Sequence, residues 1–149
     1  MAQSTGLTVR LHERERISLP VQFTVAEEHR TQVRFATTSN VTNRQTITGI
    51  AIDLSRGGLG IECGQFLPRL CEGKIRIFDA SFSDATPEAL LQIEPAIEFR
   101  VKVRRTILAD HEPTYTIGLA FVNPTDDLRT KVDVLCESFI ASDQEGGDE

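Results

Sequence analysis

The chain has 149 residues, with 16 Lys and Arg against 22 Asp and Glu, and a formal charge of −6. That length fits one domain with a core of its own, and the acidic balance argues against broad binding to nucleic-acid polymers while leaving room for a local basic site for a small dianion. The three cysteines, Cys63, Cys71 and Cys136, are odd in number and lack Cys-x-x-Cys spacing, which argues against a disulfide framework or a zinc site.

Residues 1–8 are small and polar and read as a flexible N-terminus, with neither the basic start nor the apolar run of a signal peptide. No apolar stretch approaches bilayer length, so a soluble cytoplasmic protein is expected. Residues 9–16 carry alternating charges without a clear period. From Ile17 to Val25 the apolar residues Ile17, Leu19, Val21, Phe23 and Val25 fall at every second position, the pattern of a half-buried strand. Pro20 within it suggests an edge or a bulge. A second strand is expected over Thr31–Ala36, through Val33 and Phe35, and a polar turn over Thr37–Arg44.

Strands over Gln45–Asp53 and Leu59–Cys63 flank a glycine turn, and a short strand covers Gly73–Phe78. Ala80–Gln92 breaks the β pattern. Thr86 and Pro87 there suit the N-cap and first position of a short helix. Ala96–Leu108 is the clearest strand, with Ile97, Phe99, Val101 and Val103 on one face and Glu98, Arg100, Lys102 and Arg104 on the other. Tyr115–Val122 forms the next strand. From Thr125 the period changes: Leu128, Val132, Leu135 and Phe139 recur at spacings of three and four, a helix stripe. Thr125, Asp126 and Asp127 suit its N-terminus. Cys63 falls in an apolar strand and Cys136 in this helix, so both read as core residues.

The expected fold class is therefore mainly β, six or more antiparallel strands in a barrel or sandwich, followed by a C-terminal helix. The organisation reads as one domain over residues 9–141, with a barrel over 17–123 and a helix over 125–141. Residues 142–149 read as an acidic disordered tail.

The most informative stretch for function is Ile52-Asp53-Leu54-Ser55-Arg56-Gly57-Gly58-Leu59. Asp53 and Ser55 are two apart and point to one face of an extended chain. Gly58 is free to adopt positive φ and lets a ligand approach bare backbone. A carboxylate and a hydroxyl beside exposed backbone form a small hydrogen-bonding platform. The same residues before Gly57 and Gly58 also commonly close a turn through side-chain-to-backbone bonds.

This Asp-x-Ser-x-x-Gly pattern resembles the second signature of PilZ domains, bacterial receptors for cyclic di-GMP. Two further marks lie in the right order. The Arg-rich leader Arg10-Leu-His-Glu-Arg14-Glu-Arg16 runs directly into the strand at Ile17, and Tyr115-Thr-Ile-Gly118-Leu-Ala-Phe121 looks like the family's last barrel strand. The resemblance spans residues 10 to 123. It implies a Greek-key, split-barrel-like PilZ barrel that binds cyclic di-GMP as its ligand, without a cofactor, a metal or catalysis. Implied ligand contacts are Arg10, Arg14, Arg16, Asp53, Ser55, Gly57 and Gly58.

The family's first signature is Arg-x-x-x-Arg, its last Arg directly before the first strand. Here Arg16 takes that place, but the first position falls on His12. Arg10 and Arg14 have the right mutual spacing and sit two residues early. Either the leader is shifted by two residues, or the motif is compressed and Arg14 and His12 share the role. Glu13 and Glu15 place negative charge beside it, and on charge pattern alone Arg14 and Arg16 read as solvated charges paired with Glu13 or Glu15. Arginine suits the ligand through bidentate bonds to guanine O6 and N7, charge-assisted bonds to phosphate, and stacking.

On this reading, ligand binding orders the leader against the Asp53–Gly58 turn, and a partner protein receives the signal. The alternative is a PilZ-fold adaptor that does not bind the nucleotide and docks a component of motility, secretion or polysaccharide synthesis. A small hydrolase lacks any acid–base or nucleophile constellation. Arg100, Lys102, Arg104 and Arg105 could meet nucleic acid or anionic lipid. No aromatic residues interleave for stacking, so they read as an exposed strand face, with no membrane insertion. His12, His29 and His111 are isolated and suit no metal.

Overall fold

The computed structural model describes residues 15–33, 41–42, 46–110 and 114–147. Seven strands form the body: β1 (Glu15–Val25), β2 (Val41–Thr42), β3 (Thr46–Ser55), β4 (Gly58–Cys63), β5 (Glu72–Ile77), β6 (Ile97–Asp110) and β7 (Thr114–Phe121). The sheet order is β1-β5-β6-β7-β4-β3-β2, and β1 also pairs with β3. That extra pairing closes six strands into a barrel, with β2 appended to β3. Every pairing is antiparallel. This is the expected fold class.

The alternation read from the sequence is the inside–outside alternation of the barrel. Ile17, Leu19, Val21, Phe23 and Val25 of β1 are all buried. Leu54, Leu59, Ile61, Ile75, Ile77, Val101, Val103, Ile117 and Leu119 meet them in one core. Phe99 and Phe121 pack edge to face with ring centroids 5.7 Å apart, a geometry favoured by the ring quadrupoles. Pro20 lies just past a register shift between Arg16 and Leu19, and its carbonyl accepts from Phe78 N–H at 2.9 Å. All three cysteines are free and buried.

Helix α2 (Asp126–Gly147) follows β7. Thr125 caps it, its hydroxyl accepting from Leu128 N–H at 3.1 Å. Leu128, Val132, Leu135 and Cys136 are buried on the stripe that the sequence predicts, and the helix contacts β1, β3 and β6. It continues to Gly147, across residues 142–147 that read as a disordered tail. A nucleated helix propagates through polar residues without needing an apolar stripe. Asp148 and Glu149 lie outside the described residues.

The excursion after β5 holds a 3₁₀ turn, Ala80–Phe82, and helix α1, Pro87–Leu90, with Thr86 as N-cap. A buried glutamine ties it down. Gln22, fully buried, donates to Pro87 O at 2.9 Å and to Thr48 Oγ1 at 3.2 Å. Its amide oxygen accepts from Arg76 Nη1 at 3.1 Å, and Arg76 Nη2 donates to Ile93 O at 2.7 Å. The buried polar groups are thus matched to one another, as burial requires.

Two local expectations are corrected. Thr31 and Gln32 end a 3₁₀ helix, Glu27–Gln32, instead of opening a strand. Val33 is extended and buried but belongs to no strand, and the rest of the expected Thr31–Ala36 strand lies outside the described residues. Glu27 and Glu28 in the first turn and His29 and Arg30 in the last complement the helix dipole. That local signal outweighs two apolar residues at i and i+2. Val41 and Thr42, read as turn, pair with Ile47 and Thr46.

Candidate functional site

The turn singled out by the sequence is a tight hairpin. Ser55 pairs with Gly58, leaving Arg56 and Gly57 at the tip. Ser55 is buried; its hydroxyl accepts from Gly57 N–H at 3.3 Å and donates to Gly58 O at 3.3 Å. Gly57 O accepts from Phe121 N–H at 3.0 Å. The hydroxyl therefore serves the turn.

Among the described residues, no glycine has positive φ. Gly58 is required for another reason: a Cβ there would lie 2.0 Å from Leu119 O. The bare Cα lets the β7 backbone approach. Sequence reasoning finds the position but attributes it to backbone freedom and ligand approach.

Asp53 stands at the centre of the arrangement. It pairs with Arg16 of β1 on one side and Gly60 of β4 on the other. A register shift between Ala51 and Asp53 sets this alignment, and bulges of this kind re-aim side chains near functional sites. Its carboxylate lies over Gly60, where a Cβ would be 3.0 and 3.1 Å from the two oxygens. Gly60 carries no signal in the sequence; only the barrel register reveals it. Arg16 lies in β1 opposite Asp53. The expected contacts Arg10 and Arg14, with His12 and Glu13, lie outside the described residues.

The hairpin tip is clipped to the terminal helix. Arg56 Nε donates to both carboxylate oxygens of Asp133 at 3.2 Å, and Arg56 Nη2 reaches Oδ2 at 2.5 Å. The bond to Arg56 lowers the Asp133 pKa below the ordinary aspartate value. Part of the basic face of β6 is likewise satisfied within the protein. Arg100 Nη2 pairs with Glu28 at 2.7 Å and Arg100 Nε with Glu72 at 2.7 Å. Both carboxyls have lowered pKa values, with the Arg100 hydrogen bond as the largest cause. Lys102 lies 3.7 Å from Glu72.

Among the described residues, no group of three or more His, Cys, Asp or Glu is placed to hold a metal ion, and no helix is long and apolar enough to cross a membrane. Burial raises the thiol pKa of Cys63, and that of Cys71 to about 11, so neither is a ready nucleophile.

The fold has solved relatives. The PilZ domain with cyclic di-GMP of YcgR from Escherichia coli superposes with a TM-score of 0.60 at 14% identity, covering 94% of this chain and 98% of that one. The Bacillus subtilis inhibitor of motility MotI/DgrA gives 0.53 at 17% identity, covering 91% of this chain and 51% of that one. The K. pneumonia MrkH–cyclic di-GMP complex gives 0.54 at 13% identity, with 92% and 55% covered. The chain thus spans about half the length of MotI and of MrkH. At these identities the likeness is one of fold. No curated protein matches the sequence. The model of the PilZ domain matches residues 8–138, from the basic leader into the terminal helix. With that match over most of its length, and a six-stranded antiparallel barrel followed by a helix, the chain belongs to the PilZ domain family.

Proposed function

We propose that this protein is a non-enzymatic receptor for cyclic di-GMP, and that ligand binding orders the Arg10–Arg16 leader against the Asp53–Gly58 turn, a change read by a partner protein. The observation that carries this reading is the pairing of Arg16 with Asp53. The basic leader joins the barrel at a strand position where a carboxylate lies beside a bare glycine. Arginine supplies donors to phosphate and to guanine O6 and N7, while Asp53 supplies an acceptor for the guanine N–H edge. Family membership supports the ligand class, as do two fold relatives solved with cyclic di-GMP.

Titration calorimetry with cyclic di-GMP, against GTP and cyclic AMP, tests the proposal. Saturable heat with the cyclic dinucleotide alone is the expected result. Neither heat nor chemical-shift change at millimolar ligand overturns it. A second reading, an adaptor that docks a motility, secretion or polysaccharide-synthesis component without the nucleotide, is favoured by Ser55, whose hydroxyl is engaged in the turn. The same titration decides between them.

A further inference from the structure

Two register shifts face each other across the barrel wall. In β3, Ile52 and Asp53 together oppose Gly60. In β6, Arg104 and Arg105 together oppose Gly118. Gly60 and Gly118 are themselves partners. One row therefore runs Asp53, Gly60, Gly118, Arg105. It crosses from β3 to β6 over roughly 14 Å at about 4.8 Å per strand spacing.

The charged residues at its two ends incline toward each other. The Asp53 carboxylate lies over Gly60. A Cβ on Gly118 would meet a single neighbouring side chain, Arg105, with Cγ at 3.8 Å. The Arg105 stem thus runs beside the bare position. Arg104 does not come within 4 Å of it. Arg105, like Arg104, differs from the two cations nearer the start of its strand. Arg100 and Lys102 are held by Glu28 and Glu72, whereas Arg105 is exposed and makes no side-chain ion pair or hydrogen bond among the described residues.

We propose that Arg105 is a further ligand-contact residue, donating charge-assisted hydrogen bonds to a phosphate or guanine oxygen at the far end of a cyclic dinucleotide bound at Asp53. This rests on the receptor reading above. An extended ligand lying along the row meets the Asp53 carboxylate over buried Gly60, then bare backbone at the half-buried Gly118, and a planar cationic fork beyond it. The register shift in β6 brings Arg105 to that position.

Calorimetric titration of cyclic di-GMP into wild type, Arg105→Ala, Arg104→Ala and Gly118→Ala, with thermal melting of each, tests the inference. Arg105→Ala should weaken binding by about tenfold or more, the worth of a hydrogen bond to a charged group. Arg104→Ala should stay within about twofold of wild type, the small effect expected of an exposed charge making no direct contact. Gly118→Ala should weaken binding several-fold at unchanged melting temperature, so the test survives if Arg105→Ala misfolds. If wild type binds and the Arg105 and Arg104 variants bind alike, the Arg105 contact is overturned and the receptor reading stands. If wild type does not bind, both fall.

Discussion

Three glycines of β4 and β7 should answer differently to the same added methyl group. At Gly58 a Cβ would lie 2.0 Å from Leu119 O, 3.0 Å from Ala120 Cα and 3.1 Å from Leu119 C, all backbone of the paired strand. Nothing there can rotate away, so β4 and β7 must separate locally. Overpacking of this kind costs about 1–3 kcal/mol, and a backbone obstacle puts Gly58→Ala at the upper end. For a chain of this size, that corresponds to a fall of about 5–10 °C in Tm. At Gly60 the obstacle is the Asp53 carboxylate, 3.0 Å away. A side chain can turn, so Gly60→Ala should melt within a few degrees of wild type, but with Asp53 displaced and cyclic di-GMP binding weakened. At Gly118 the neighbour stands at an ordinary contact distance of 3.8 Å, and restricting the unfolded chain offsets any small loss. Far-UV circular dichroism melts and calorimetric titrations of the three variants check the ordering. If Gly58→Ala melts with wild type while Gly118→Ala melts well below it, the packing argument is wrong.

Arg16→Ala should abolish most cyclic di-GMP binding, and Lys should not restore it, since an ammonium lacks the planar fork; full rescue by Lys in a titration would contradict this. Ser55→Ala should lower stability by about 1 kcal/mol through the lost turn bonds, whereas Asp53→Ala should weaken binding with little change in melting. The Arg56–Asp133 pair depresses the Asp133 pKa. Its contribution should therefore be present above the ordinary aspartate pKa and lost as pH falls through the folded value, so Asp133→Asn and wild type should converge in melting temperature under acid but differ near neutrality. Cys63, Cys71 and Cys136 are buried, so iodoacetamide at pH 8 should label none in the native protein and all three in denaturant, as read by mass spectrometry.

The barrel is legible in the sequence because its inward positions are apolar at period 2, most clearly in β1 and β6, and because the change to helical spacing at Leu128 is abrupt. Thr86 and Thr125 announce their caps by residue type alone. The segment after Val25 misleads because Val33 and Phe35 mimic a strand over a span too short to fix a period. At the site, Asp53 and the hairpin are visible as a motif. The partnership of Asp53 with Gly60, and of Gly118 with Arg105, is not. Each depends on a register shift, and an inserted residue in one strand has no signature until its neighbours are known. Ser55 and Gly58 stand out for their chemistry, yet packing gives each a local role, since Ser55 bonds the turn and Gly58 admits the β7 carbonyl.

Closure of the barrel narrows how this protein can be recognised. All six barrel strands have neighbours on both sides. Where β6 leaves β5, the loop before β5 bonds the next residue through Leu70 N–H to Val103 O and Val103 N–H to Cys71 O, each at 2.8 Å, and from Arg104 to Asp110 the backbone of β6 pairs with β7 alone. Where β1 runs past the other end, Phe78 bonds Pro20 O. The outer side of β2 offers two residues. Among the described residues addition of a β-strand, a common route to peptide capture, is thus confined to the overhangs of β6 and β1. Over the rest of the barrel recognition goes through side chains, and a few substitutions on one face can change which partner is chosen without touching the fold.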